Sequence, residues 1–181
     1  MNLQSDDFEL FGVPRRFTQD AAVLDARWKE LQREAHPDRV SARGAATQRV
    51  AMQWSVRINE AYSRLRDPVR RAAYLCELAG APINAHSNTA MPAAFLMQQM
   101  QWREELEDAA DTDALEALAE RVAQSRRESL SACGHAIDSA CDFPRAVELV
   151  RSLMFIERFA AEVDARIDAA LEAAVTPSRG Q

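Results

Sequence analysis

Residues 21–39 read AAVLDARWKELQREAHPDR, and two features within them decide the fold class. Ala21, Leu24, Trp28, Leu31 and Ala35 recur at steps of 3, 4, 3 and 4, which places them on one face of a helix. Pro37 then ends that helix, because a residue before proline is driven out of the α region. Thr18 or Asp20 can cap its start. Beyond a loop around Ser41–Gly44 (SARG), Ala51, Trp54, Ile58, Ala61 and Leu65 repeat the same steps. Two such stripes joined by a short loop predict an antiparallel helical hairpin, closed by Trp28 against Trp54 or Ile58.

The flanks continue in the same style. Residues 6–12 (DDFELFG) can form one helical turn ended by Gly12 and Pro14. Asp67-Pro68 breaks the second helix of the hairpin, and RRAAYLCELAG makes a short third one with Gly80 just past its end. APINAHSNTA, 81–90, reads as a linker. After it, a helix from about Pro92 to Ala109 carries Phe95, Gln99, Trp102 and Leu106 as its core face. Asp111 or Thr112 caps the next, with Leu115, Leu118, Val122, Leu130, Cys133 and Ile137 on one side as far as about Ala140. Asp142-Phe143-Pro144 opens the last, with Leu149, Leu153, Ile156, Ala160, Val163 and Ile167 in register, and Thr176-Pro177 ends it. The expected architecture is all-α: a helical-hairpin unit over 1–80, a linker over 81–90, an antiparallel three-helix bundle over 91–176 and a tail over 177–181.

Composition agrees. Apolar residues make up 48% of 181, and glycine (5) and proline (7) are scarce, which favours helices over turn-rich sheets. No run approaches the length of a membrane span, and MNLQSDDFELFG lacks the basic start of a signal peptide. Cys76, Cys133 and Cys141 form no CxxC pair, the usage expected of a reducing cytoplasm. Residues 1–80 hold 13 basic and 11 acidic side chains, and 81–181 hold 9 and 17, so the halves are suited to different partners. A small basic strip on an acidic chain argues against nucleic acid.

His36-Pro37-Asp38 sits at the hairpin turn, where proline fixes the backbone and removes a donor. A catalytic pair, a metal-ligand fragment and a rigid contact tip are all open to it. No nucleophile, second acid or spaced ligand accompanies it, so the contact tip is the simplest reading. Lys29 and Arg33, one turn apart and opposite the core stripe, form a basic strip leading to that tip, suited to an acidic groove on another protein. Cys133, His135 and Cys141 have no metal-site spacing, and His86 falls in the linker.

The helix at 95–108 leaves Leu96, Met97 and Met100 on the face away from its core stripe, beside Gln101, Arg103, Glu104 and Asp108. On the last helix Phe155 is about 100° off the stripe, with Glu148, Arg151 and Glu162 as helical neighbours. Apolar side chains ringed by charge are the signature of a protein-docking surface, unless the hairpin unit packs there and covers them.

The basic helix, the HPD turn, Asn59-Glu60-Ala61-Tyr62, Leu65, Asp67-Pro68 and Arg71-Ala72-Ala73-Tyr74 resemble a J-domain in order and spacing. FELFGVP, RAAYLCELAG and AFLMQQMQWREELED resemble the HscB family, the J-type co-chaperones of bacterial iron–sulfur cluster assembly, and the likeness covers nearly the whole chain. That resemblance implies a co-chaperone without chemistry or cofactor of its own. Its J-domain would dock on the DnaK-type chaperone HscA through His36, Pro37, Asp38, Lys29 and Arg33, and stimulate ATP hydrolysis there. Its bundle would hold the scaffold protein IscU through Leu96, Met97, Met100, Gln101, Arg103, Glu104, Asp108 and Phe155. Ala35 and Arg39 stand where the family often has an aromatic residue and a lysine, and Gln101 where it often has an acid. No zinc-binding cysteine cluster precedes the hairpin. The same residues leave two other expectations open: a J-domain adaptor for another client, and a small helical enzyme with a His36–Asp38 acid–base pair in a concave pocket.

Overall fold

Each helix begins and ends where its own residues satisfy the backbone groups a helix leaves over. In the computed structural model, which describes residues 5–35, 45–83 and 91–175, helix α1 is Asp7–Phe11. The Asp6 carboxylate caps it by accepting the Glu9 N–H at 2.9 Å, and Gly12 ends it at φ +63°, where a side chain is strained. Helix α2, Ala21–Ala35, is capped by Asp20, which accepts the Ala22 N–H at 2.8 Å. Helix α3 is Ala45–Arg66, and α4 is Pro68–Leu78, with Asp67 as its cap, Pro68 in its first position and Gly80 past its end at φ +76°. Helix α5 is Ala93–Asp108; α6 is Thr112–His135, continued by a π-turn over Ala136–Ala140; α7 is Phe143–Val175. No strand occurs among the described residues, and none of these helices is long and apolar enough to cross a membrane.

Helices α2 and α3 form the expected hairpin, with Leu24, Leu31, Ile58 and Leu65 buried between them. The ring contact of Trp28 is one turn beyond the place its stripe indicates: it stacks on Tyr62, with centroids 5.1 Å apart. Helix α1 is anchored in two ways: Phe8 and Phe11 are wholly buried, stacking on Tyr74 and Tyr62, and a buried ion adds to them. Asp7 is wholly enclosed, with Arg57 at 2.6 Å and Arg64 at 2.9 Å, both from α3. The Arg57 contact is an ion pair without hydrogen-bond geometry. The Asp7 N–H is donated to the Tyr74 hydroxyl of α4 at 3.2 Å.

Two cores follow. The distal one lies between α5, α6 and α7 and holds Trp102, Leu106, Leu115, Leu118, Val122, Ile156, Phe159 and Val163. The other joins Phe8, Phe11, Leu65, Leu75, Cys76 and Ile83 to Cys133, Ile137, Val147, Val150 and Leu153, so the end of α6 and the start of α7 belong to the packing of the hairpin unit. Directional bonds lock this seam. Asp138 accepts the N–H groups of Phe17 (2.6 Å) and Thr18 (2.9 Å). Partial burial pushes the Asp138 carboxyl up, but those bonds and the Thr18 hydroxyl outweigh it and hold it below the usual range. The Arg71 guanidinium donates to the Phe17 carbonyl at 2.7 Å and lies over its ring. Gly134 is the close-approach point: a Cβ there would meet the Phe17 ring at 2.9 Å. Arg151 corrects its reading as a charged rim beside Phe155, because it is buried and donates twice to the Ile83 carbonyl, at 2.9 and 2.7 Å. Part of the stretch read as linker is thereby fastened to α7.

Candidate docking surfaces

Helix α5 meets its bundle on one side only. Trp102 and Leu106 are buried, Phe95 and Gln99 half-buried. The opposite face carries Leu96 (46% exposed), Met97 (64%) and Met100 (64%). Gln101, Arg103, Glu104 and Asp108 are exposed around them, so this apolar ridge lies uncovered by the hairpin unit. Isolated exposed leucines are ordinary, but three large flexible side chains within five positions form a surface that can mould itself to a partner.

Phe155 is half-buried beside this ridge, and its setting explains why. Its ring receives Phe95 edge-on at 5.8 Å and stacks on Phe159 at 6.0 Å, and Phe159 stacks in turn on Trp102 at 5.6 Å. The aromatic series runs from half-buried Phe95 and Phe155 into the distal core, so the outer rings are held in place by inner ones. Arg103 lies over Phe159 and pairs with Glu162 at 2.6 Å, linking the α5 rim to α7. A shallow groove continues from the ridge between α5 and the first turns of α7, lined among others by Phe95, Met97, Gln101, Arg145 and Glu148. Phe95 and Phe159 are the members of this region that the stripe pattern does not single out as neighbours of Phe155. Phe159 is one turn from Phe155 on α7, whereas the contact of Phe155 with Phe95 becomes visible only once α5 and α7 are paired.

At the other end of the molecule, Lys29 and Arg33 are both exposed on α2, and the Arg33 Nε donates to the Lys29 carbonyl at 3.2 Å. His36, Pro37 and Asp38 lie outside the described residues, as does the pocket that an acid–base pair there requires. One turn before Lys29 on the same row of α2, Asp25 is tied to α3. The Tyr62 hydroxyl donates to Asp25 at 2.7 Å and Arg66 donates to the same oxygen at 3.1 Å. The Tyr62 bond, against some desolvation and with the charges of Arg66 and Lys29, holds the Asp25 carboxyl below its ordinary range. One residue accepts two hydrogen bonds across the hairpin: the Asn59 amide oxygen takes the Trp28 indole N–H at 2.9 Å and the Gln32 amide N–H at 2.7 Å.

Chemistry of other kinds finds little footing. Burial pushes the Cys76 thiol up to about 11 and the Cys133 thiol up to about 12, so neither supplies a thiolate near neutral pH. Among the described residues no three of His, Cys, Asp and Glu are gathered as for a metal ion.

Comparison with known proteins places these surfaces in context. The profile of the family described as the HSCB C-terminal oligomerisation domain matches residues 91–164. A "Co-chaperone protein HscB homolog" of Burkholderia multivorans is 50% identical over 171 residues, 93% of this chain and 97% of the relative. The homologue of Burkholderia cenocepacia is 48% identical over the same length. The chaperone HscB from Vibrio cholerae superposes with a TM-score of 0.80 at 33% identity, covering 92% of this chain and 99% of the other. Human co-chaperone HscB gives 0.82 at 27% identity, over 93% and 83%. Matches this long, spanning the hairpin, the seam and the bundle alike, mean that the chain belongs to the HscB co-chaperone family.

Proposed function

We propose that the protein is a two-surface adaptor of iron–sulfur cluster assembly in the cytoplasm. Its bundle holds the scaffold protein IscU, and its J-domain (1–80) delivers that cargo to the DnaK-type chaperone HscA and stimulates ATP hydrolysis there. It has no catalytic step of its own. The observation that carries this reading is the exposed Leu96, Met97 and Met100 ridge on α5, edged by Gln101, Arg103, Glu104 and Asp108 and backed by Phe155, in a chain of this family. On the J-domain the docking residues are His36, Pro37 and Asp38 at the tip, with Lys29 and Arg33 steering it toward an acidic groove. Stimulation is a population shift: the tip binds one state of the ATPase better and so favours the route to hydrolysis.

The word oligomerisation in the family's description supports a second reading, in which the same ridge joins copies of this chain. Sedimentation of the protein alone and with IscU separates the two: a monomer that forms a one-to-one complex supports cargo binding, and a dimer that IscU does not dissociate supports self-association. The functional test is HscA ATPase turnover with this protein, with and without IscU. Stimulation by the protein that rises further with IscU is the expected result, and HscA turnover unchanged by the protein would refute the reading.

A further inference from the structure

Resting on that docking reading, we propose that Asn59 is a positioning residue, setting the roll of α2 and with it the aim of Lys29 and Arg33. The apolar contacts of α2, through Leu24, Leu31 and Ala35, fix its depth against α3. Such contacts are non-directional and set rotation about the helix axis only loosely. Hydrogen bonds are directional. Trp28 and Gln32 are one helical turn apart, and both donate to the single amide oxygen of Asn59, at 2.9 and 2.7 Å. Both bonds hold at once only in a narrow range of roll and axial register. Gln32 also reaches the Ser55 carbonyl at 3.5 Å, and Trp28 stacks on Tyr62, so the tie spans two turns of each helix. Lys29 and Arg33 each follow one of the two tied residues in sequence, about 100° round the helix. Fixing 28 and 32 fixes the direction in which 29 and 33 project. Both bonds to Asn59 are at the surface, so water can replace them when the amide is removed; the loss falls on aim more than on stability.

The test is a titration of HscA ATPase stimulation with the full chain. Asn59→Ala raises the half-saturating concentration on the order of fivefold, the scale of one or two surface hydrogen bonds, and leaves the maximal stimulated rate and IscU affinity unchanged. Gln32→Ala, which removes one of the two donors, gives a smaller rise, and Asn59→Asp, which keeps the acceptor, stays close to the wild-type half-saturating concentration. On a Lys29→Ala/Arg33→Ala background Asn59→Ala adds less than about twofold, because the groups it aims are gone. Three results overturn the inference: an Asn59→Ala titration identical to wild type, an effect that multiplies in full on the Lys29/Arg33 background, or a melting temperature lowered by more than about 10 °C, which makes Asn59 a stability residue. If the Lys29→Ala/Arg33→Ala pair is itself silent, the basic strip is not a docking element, and this inference falls with it. If the pair weakens stimulation and Asn59→Ala does not, only the positioning role falls.

Discussion

Asp7 and Phe159 are both buried, one an ion and the other a ring, and each is typical of its end of the molecule. Asp7 belongs to the shortest helix described. Helix α1 has five residues, and beside its buried phenylalanines it is held by hydrogen bonds with Arg64 and Tyr74 and by an ion pair with Arg57. Around Phe159 the helices are long, α7 reaching 33 residues, and stacked rings and aliphatic stripes suffice. A five-residue helix buries two rings but little length, so directional bonds complete its orientation; the long helices rest on a larger apolar contact, to which pairs such as Arg103–Glu162 are added at the rim. The outer faces follow the same division. The hairpin presents charge beside a polar tie, and the bundle presents a ridge of Leu and Met over aromatic rings.

Truncation of the two buried residues is the strongest way to break this contrast. Phe159→Ala is expected to cost about 4 kcal/mol in urea unfolding, because it removes a stacked ring and leaves a cavity. Asp7→Ala is expected to cost about 3 kcal/mol by leaving two arginines at an emptied buried site. A cost for Asp7 that vanishes in 1 M salt would show an ordinary surface pair, since enclosed ions are little screened. At the docking face, Met97→Ala with Phe155→Ala is expected to weaken IscU binding by at least ~2 kcal/mol, read by calorimetry. Unchanged affinity would mean that the ridge is not the contact. Gly134→Ala sharpens the account of the seam: its Cβ enters the Phe17 ring, which Arg71 and Asp138 hold in place, at an expected cost of about 1 kcal/mol or more.

The smallest effect is one of pH. The folded Asp138 carboxyl lies below its ordinary value, so its bonds to Phe17 and Thr18 add stability that is fully present above the unfolded pKa of about 4 and fades as pH falls through the lower folded value. Unfolding curves of wild type and Asp138→Asn are therefore expected to differ at pH 7 and to converge in acid. A gap that stays constant from pH 7 to pH 2 would remove the carboxylate from the seam.

These contrasts also explain how far the sequence could be read. Helical steps of 3 and 4 locate α2, α3, α6 and α7, and local signals such as Gly12 after α1, Asp67-Pro68 between α3 and α4, Gly80 after α4 and Asp142 before α7 mark helix ends, because each is decided by residues a few places apart. The exposure of Leu96, Met97 and Met100 was legible too, since one amphipathic helix against one neighbour leaves a definite far side. Arg151 was not. Its acceptor, the Ile83 carbonyl, is 68 positions away, and no helical wheel includes it. Phe159 escaped the α7 stripe because α7 packs against α5 and α6 together and so buries a wider arc than a single seam requires. Nothing local marks Asp7 as buried, because the arginines that meet it, Arg57 and Arg64, come from α3.

The central claim is that two separable surfaces serve two partners, and one crossed experiment addresses it most directly. HscA stimulation and IscU binding are measured for His36→Gln and for Met97→Ala/Phe155→Ala. His36→Gln is expected to lose stimulation and keep wild-type IscU affinity. The bundle variant is expected to lose IscU affinity and still stimulate HscA in the absence of IscU. A His36→Gln protein that stimulates normally, or a single variant that loses both activities while remaining folded, would contradict the claim.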